Sequence, residues 1–214
     1  MHELLSVLTI LGDSRLLLGA AGILIIFGSF SRTNWTYHWL IAVACVCVIT
    51  LATKLAFLGW GIGIHALEFT GISGHAAVSA SVWPPLLRAV AKDSLGRWVW
   101  KTGLTCLGFL LAASIAWSRL PLNAHSLSEV TLGWLLGATA SVFVIRQQRQ
   151  EAMFLGAPLV ALFGSALFLA ILPIPKTHQV VVDLAETLSG SDSPRARNST
   201  HAPPIEDRHR NPTD

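Results

Sequence analysis

The sequence predicts an all-α protein, a membrane-embedded bundle of about six transmembrane helices. Of its 214 residues, 52% are hydrophobic and only 13% are charged, and the mean hydropathy is +0.57. Apolar stretches follow one another along the chain, and a helix of about 20 apolar residues is long enough to cross a bilayer. The stretches occupy residues 16–30, 39–60, 75–90, 98–117, 126–145 and 153–172.

The stretches differ in length, and the differences predict their roles. Those at 16–30 and 75–90 are short, so we expect each to be tilted inside the bundle or partly re-entrant. Pro84 and Pro85 are expected to bend the second of them. Residues 1–15 lack the pattern of a signal peptide and are expected to lie at the membrane surface. Tryptophans support the boundaries, because amphipathic rings favour the headgroup level. Those near the ends of stretches are Trp35, Trp39, Trp60, Trp98, Trp100 and Trp117.

The composition of the chain changes near residue 175. Residues 1–175 are expected to form the membrane domain, and residues 176–214 an appended segment. An apolar face between residues 180 and 188 predicts a short amphipathic helix on the membrane surface. From Ser189 onward the sequence is polar and rich in Pro, Ser and Arg, with too little apolar area to offset the entropy of ordering. We therefore expect the end of the chain to be disordered.

Lysine and arginine residues predict the orientation. With six spans, one end of the bundle holds the larger share of them, and cytoplasmic loops are the ones enriched in positive charge. That end carries Arg32, Arg88, Lys92, Arg97, Lys101, Arg146 and Arg149, and the opposite end carries Arg15, Lys54, Arg119 and Lys176. The second end is therefore expected to face away from the cytoplasm.

A group of polar side chains lies between the fourth and fifth stretches, where such groups are costly to keep. His125 and Glu129 are four residues apart, so we expect them to share a helix face, with the carboxylate orienting the imidazole. The guanidinium of Arg119 suits paired phosphate oxygens. A His/Glu pair alone is more often a surface contact, and an Arg alone more often snorkels to the interface. Their coincidence predicts a phosphoryl-transfer site.

A second polar string, Ser73, Gly74 and His75, opens the third stretch. A helix start presents unpaired N–H groups and a positive dipole end, so these residues are expected to cradle a phosphate, with Gly74 allowing close approach. An N-cap role would by itself explain Ser73. A helix start disfavours the cationic form of His75 unless an anion is bound. A second histidine in the same site as a candidate nucleophile suggests a proton donor for the leaving group. The two strings lie in the loops after the second and fourth stretches, and with six spans these loops are at the same end of the bundle.

Together these residues resemble the type 2 phosphatidic acid phosphatase family, which is similar in its catalytic core to vanadium haloperoxidases. That family carries Lys-x6-Arg-Pro, Pro-Ser-Gly-His and Ser-Arg-x5-His-x3-Asp strings in this order. The second string appears here as residues 72–75. The third appears as Ser118, Arg119, His125 and Glu129 at the family spacing. The likeness spans about residues 54–137.

The resemblance implies a role for each residue. His125 would attack phosphorus to give a phosphohistidine, Glu129 would orient it, and His75 would protonate the departing lipid oxygen. The phosphate oxygens would be bound by Lys54, Ser73, Gly74 and Arg119. The substrate would be a lipid phosphate or diphosphate of the bilayer, of the phosphatidic acid, phosphatidylglycerol phosphate or polyprenyl diphosphate class. No cofactor, metal or nucleic acid would take part.

The same resemblance, taken with the orientation, predicts where the protein acts. We expect a multi-pass protein of the plasma membrane, of the bacterial inner-membrane kind. Its site would face the non-cytoplasmic side.

The chain departs from the family pattern at three positions. Ile72 replaces Pro, Glu129 replaces Asp, and Gly61 stands seven residues after Lys54 in place of Arg. Losing one Arg–phosphate contact would cost about 1.5–3 kcal/mol. His65, in the same loop, could supply a donor to the phosphate, although a loop histidine is more often merely solvated. Two alternatives therefore stay open: a lipid phosphotransferase that uses the same phosphohistidine, and a non-catalytic lipid-binding membrane protein.

Overall fold

The structure, a computed structural model, describes residues 2–30, 34–90, 97–148, 156–171 and 177–189. This part of the chain contains eight α-helices and no strand, apart from an isolated bridge between Ile64 and Phe69. The helices are α1 (His2–Leu11), α2 (Ser14–Phe30), α3 (Asn34–Trp60), α4 (Gly74–Val90), α5 (Arg97–Ser118), α6 (Leu127–Gln147), α7 (Ala157–Ile171) and α8 (Thr177–Ser189). The predicted all-α class is confirmed.

The predicted apolar stretches coincide with α2 to α7. Within the described residues, four helical segments are long and apolar enough to cross a membrane, and a shorter apolar helix follows them at Leu159–Ile171. The four are Glu3–Gly28, Trp35–Trp60, Val99–Ser118 and Leu127–Gln147. Helix α4 is not among them, so the count of six spans stays a prediction.

The two ends of the chain were expected to lie at the membrane surface. At the beginning, residues before 16 form α1 and a turn at Gly12 and Asp13 that leads directly into α2. Near the other end, α8 covers the predicted amphipathic segment and packs against α3. The tail predicted to be disordered lies, from residue 190 onward, outside the described residues.

Helix α4 forms the centre of the bundle. Its residues are buried without interruption from Ala76 to Leu86, and it packs chiefly against α5 and α6. Small side chains permit this close packing, as in other helix pairs within membranes. A Cβ atom on Gly133 would lie 2.8 Å from the Ser73 carbonyl oxygen, and one on Gly137 would lie 2.8 Å from the Ala80 Cβ. The same packing sets the beginning of α4 against the beginning of α6.

Two prolines lie inside α4, and the helix continues past them to Val90. A proline has no N–H, so Pro84 and Pro85 leave the carbonyl groups four residues earlier, on Ala80 and Ser81, without their helical donors. Side chains of other helices supply the donors. The Ser141 hydroxyl donates to the Ala80 oxygen, and the Trp39 indole N–H donates to the Ser81 oxygen at 3.1 Å. Both prolines are therefore tolerated in a buried helix.

Replacing Ser141 by alanine is expected to lower the stability of the bundle. The Ala80 carbonyl would be left buried without a donor, which costs about 1–2 kcal/mol. The measurement is unfolding in a denaturing detergent, monitored by helical circular dichroism. Ser114→Ala is the matched control, because the exposed Ser114 hydroxyl donates only within its own helix, to the Leu110 oxygen. Equal midpoints for the two variants would show that Ser141 does not stabilise the proline-containing helix.

Candidate active site

His125 and Glu129 are in direct contact at the beginning of α6. The His125 Nδ1 lies 2.7 Å from the Glu129 Oε2, and the Glu129 side chain is fully buried whereas that of His125 is 17% exposed. The contact does not arise from a shared helix face, as the spacing predicted, because His125 precedes the helix. Ser126 is the N-cap, and Glu129 folds back over it in a capping box, which brings the carboxylate to the histidine.

Thr70 holds the other carboxylate oxygen of Glu129, a contact that the sequence did not predict. The Thr70 backbone N–H donates to Oε1 at 2.7 Å, and its hydroxyl donates to the same oxygen at 2.5 Å. The Ser126 N–H donates to Oε2 at 3.2 Å. Both oxygens are therefore held by fixed donors, so the carboxylate keeps one orientation towards His125.

The beginning of α4 lies against Glu129. The Ser73 N–H donates to the Glu129 backbone oxygen at 3.2 Å, and the N–H groups of the following first turn have no partner within the helix. The Ser73 side chain is fully buried, and its hydroxyl has no hydrogen-bond partner among the described residues. A buried hydroxyl beside open N–H groups suits an anion.

Lys54 lies beside the same helix start. A Cβ atom on Gly74 would lie 3.9 Å from the Lys54 Nζ. Gly71 makes this approach possible: its φ is 141°, and a Cβ there would lie 3.0 Å from the Lys54 Cγ. Only glycine combines that backbone conformation with so little space.

Arg119 follows the end of α5 and is 6% exposed. Its Nη2 donates to the Thr9 hydroxyl of α1, while its Nε is buried and has no hydrogen-bond partner in the described part of the chain. Burial lowers the pKa of this guanidinium below its ordinary value, which is so high that the group stays cationic. An unpaired donor on a buried cation is a site for an anion.

His75 is the second residue of α4. Its ring is within electrostatic range of Arg119, His125 and Lys54, and also of the Asp13 carboxylate in the turn before α2. The structure therefore brings together the predicted residues from four helix ends: Lys54, Ser73, Gly74, His75, Arg119, His125 and Glu129. Thr9 and Asp13 also reach the site; nothing in the sequence singled them out, because they are far from the other residues along the chain.

The loop that should carry the family's first string is built differently here. Gly61 ends α3 with a φ of 71°, and its N–H donates to the Phe57 oxygen at 2.7 Å. An arginine would be strained in that conformation, so this helix end explains why glycine stands there. His65 begins a short 3-10 turn, His65–Leu67, but its side chain lies outside the described residues. Its role in phosphate binding stays a prediction.

The chain is similar in sequence to known proteins. Residues 66–153 match the family model described as PAP2 superfamily. An uncharacterized 22.5 kDa protein in the cps region of Klebsiella pneumoniae is 41% identical over 142 residues, which are 64% of this chain and 66% of that protein. The match thus spans just under two thirds of the relative's length. No solved structure matches. The segment that contains His75, Arg119, His125 and Glu129 is therefore similar to the PAP2 superfamily.

Proposed function

We propose that the protein is a metal-independent lipid phosphatase that works through a phosphohistidine on His125. The observation that carries the proposal is the His125–Glu129 contact of 2.7 Å, next to a helix start with an unpartnered buried hydroxyl on Ser73. An oriented imidazole beside an anion site suits nucleophilic attack on phosphorus. The same contact argues against a merely lipid-binding protein, because it preserves a nucleophile and its orienting group in full.

In the first step, His125 forms a bond to phosphorus while the bond from phosphorus to the lipid oxygen breaks. Since Nδ1–H donates to Glu129, the lone pair of the imidazole is on Nε2, and this nitrogen attacks. His75 gives its proton to the departing oxygen, which leaves as a lipid hydroxyl or, from a diphosphate, as a lipid monophosphate. Glu129 stabilises the positive charge that develops on His125.

In the second step, water attacks the phosphohistidine, His75 takes the water's proton, and the nitrogen–phosphorus bond breaks to release inorganic phosphate. Arg119 and Lys54 stabilise the negative charge on the phosphoryl oxygens in both steps, together with the N–H groups that begin α4. If a lipid hydroxyl attacked instead of water, the reaction would be a transfer. Added acceptor lipids would reveal it as a new phosphorylated lipid.

Exposed apolar side chains around the site favour a lipid substrate over a soluble one. They lie in the α3–α4 loop, in the α5–α6 loop and at the first residue of α6, and a hydrogen bond of 2.7 Å from the Ser128 hydroxyl of α6 to the Leu67 oxygen joins α6 to the α3–α4 loop. The side chains are those of Ile62, Ile64, Leu67, Leu122 and Leu127. Exposure of large apolar groups at one end of a membrane bundle fits contact with lipid at the interface.

The orientation is part of the proposal. The site lies at the end of the bundle where α3 and α5 end, whereas Arg88 of α4, Lys101 of α5 and Arg146 of α6 are near the opposite end. Positive charge favours the cytoplasm. The site would then act at the non-cytoplasmic face of the plasma membrane.

The proposed activity is tested by phosphate release from lipid phosphates in detergent micelles containing EDTA. The panel consists of phosphatidic acid, phosphatidylglycerol phosphate and a polyprenyl diphosphate, with His125→Asn as the background. We expect release from at least one of them, unaffected by EDTA. No release above background from all three would contradict the proposal.

His75→Ala is expected to impair release from a lipid phosphate more than release from p-nitrophenyl phosphate. A lipid alkoxide needs a proton when it leaves, whereas nitrophenolate does not, and proton donation typically contributes about 10²–10⁴-fold. The quantity to compare is kcat/KM, because it depends only on substrate binding and on formation of the phosphoenzyme. The second step, hydrolysis of the phosphoenzyme, does not affect it. Equal losses of kcat/KM for both substrates would show that His75 is not the proton donor.

A further inference from the structure

The end of α1 and the turn that follows it reach the site from outside the segment that matches the superfamily. Three contacts hold them there. The Arg119 Nη2 donates to the Thr9 hydroxyl, and the Trp83 indole N–H of α4 donates to the Leu11 oxygen at 3.1 Å. A Cβ atom on Gly12 would lie 3.3 Å from the His75 Cδ2, so this backbone lies against the histidine ring.

The hydrogen bonds of Thr9 fix which way its hydroxyl points. The hydroxyl donates its proton to the Leu5 oxygen at 2.7 Å, one turn earlier in α1. Its oxygen is therefore left to accept from the guanidinium of Arg119. A hydroxyl is a neutral acceptor, so it holds the guanidinium without cancelling its charge, as a carboxylate would.

A second donor of the same guanidinium, the Nε, does not bind Thr9. The Arg119 Nε is buried and has no partner among the described residues. An arginine side chain is long and rotates readily, so an isolated one would adopt several conformations and lose entropy when it bound an anion. A fixed partner at Nη2 removes most of that freedom before the anion arrives.

We propose that Thr9 is a positioning residue for phosphate binding: it holds Arg119 so that the guanidinium is directed at the bound phosphoryl group while its charge stays available. The expected effect of Thr9 on catalysis rests on the proposed function. The anion-binding part of it can be measured without turnover. Through the Trp83–Leu11 hydrogen bond, the central helix α4 fixes the turn and hence Thr9.

The experiment compares Thr9→Val, Thr9→Ser and Thr139→Val in the full-length protein. Valine keeps the shape of threonine but accepts no hydrogen bond, and serine keeps the hydroxyl. Thr139→Val is the matched control, because the exposed Thr139 hydroxyl also donates to a carbonyl one turn earlier, on Leu135, but has no hydrogen bond to a cation among the described residues. The first readout is binding of orthovanadate, a phosphate mimic, from thermal stabilisation at increasing concentrations. The second is KM and kcat on a lipid phosphate.

We expect Thr9→Val to weaken orthovanadate binding about tenfold, with Thr9→Ser and Thr139→Val within about twofold of the original protein. Without orthovanadate, Thr9→Val should be less stable than Thr139→Val, because the buried Arg119 Nη2 loses its acceptor; the orthovanadate affinity is therefore measured on variants shown to be folded. Unchanged orthovanadate affinity in Thr9→Val, or an equal loss in Thr139→Val, would overturn the inference and leave the phosphatase proposal standing. Weakened affinity in a protein that releases no phosphate would support the inference and overturn the phosphatase.

Discussion

Replacing His125 by asparagine is expected to lower kcat on a lipid phosphate by at least about 10⁴-fold, because the variant lacks the proposed nucleophile. Asparagine is close to histidine in size and polarity, and the His125 side chain is partly exposed, so the fold should persist. The measurement is phosphate release, together with a thermal unfolding midpoint that shows the variant to be folded.

His38→Asn provides the control for this substitution. His38 lies near the beginning of α3, at the other end of the bundle, with its ring 6.0 Å from that of Phe143. Turnover should be unchanged in this variant. If His125→Asn kept more than about a hundredth of the original kcat, His125 would not be the nucleophile.

Replacing Glu129 by glutamine is expected to lower kcat by about 10²–10⁴-fold and to reduce stability by about 1–3 kcal/mol. Both carboxylate oxygens accept from backbone N–H groups, those of Thr70 and Ser126, and these donors cannot be reversed. The amide nitrogen of glutamine would meet one of them donor to donor. The side chain must then turn, and His125 loses its fixed orientation.

The effect of Glu129→Gln can be separated from simple unfolding. Nitrogen NMR of labelled histidine should detect a proton on the His125 Nδ1 in the original protein and a mixture of tautomers in the variant. Glu129→Asp, which restores the family's residue but is one methylene shorter, should retain more turnover than glutamine because it still accepts from the imidazole. A glutamine variant with normal turnover would exclude the orienting role.

Helices α2 to α7 could be predicted because each is an apolar stretch with a recognisable boundary. The stretch at 75–90 corresponds to α4, although its burial depends on Gly133 and Gly137 of another helix. The donors to the carbonyl groups freed by Pro84 and Pro85 could not be predicted, since Ser141 and Trp39 belong to helices that the sequence alone does not orient. Propensity and hydropathy describe single elements, whereas these contacts depend on packing.

Some residues of the candidate site could likewise be predicted from the sequence, and others could not. His75, Arg119, His125 and Glu129 were found from local spacing and from the cost of polar groups near a membrane. Thr70 and Thr9 were not, because a threonine has no distinguishing signal and its partner is distant: Thr9 is 110 residues from Arg119. The reason for Gly61 was also missed, since its left-handed backbone appears only in the structure.

The central claim is that the phosphoryl group passes through His125, and the most direct measurement is to trap it there. The protein is mixed with a radiolabelled lipid phosphate, quenched in alkali within the first turnover, and digested for mass spectrometry. The account predicts an alkali-stable, acid-labile phosphate on the peptide that contains His125, and none on His125→Asn. Release of inorganic phosphate with the label on another residue, or with no labelled His125 in the earliest samples, would contradict it.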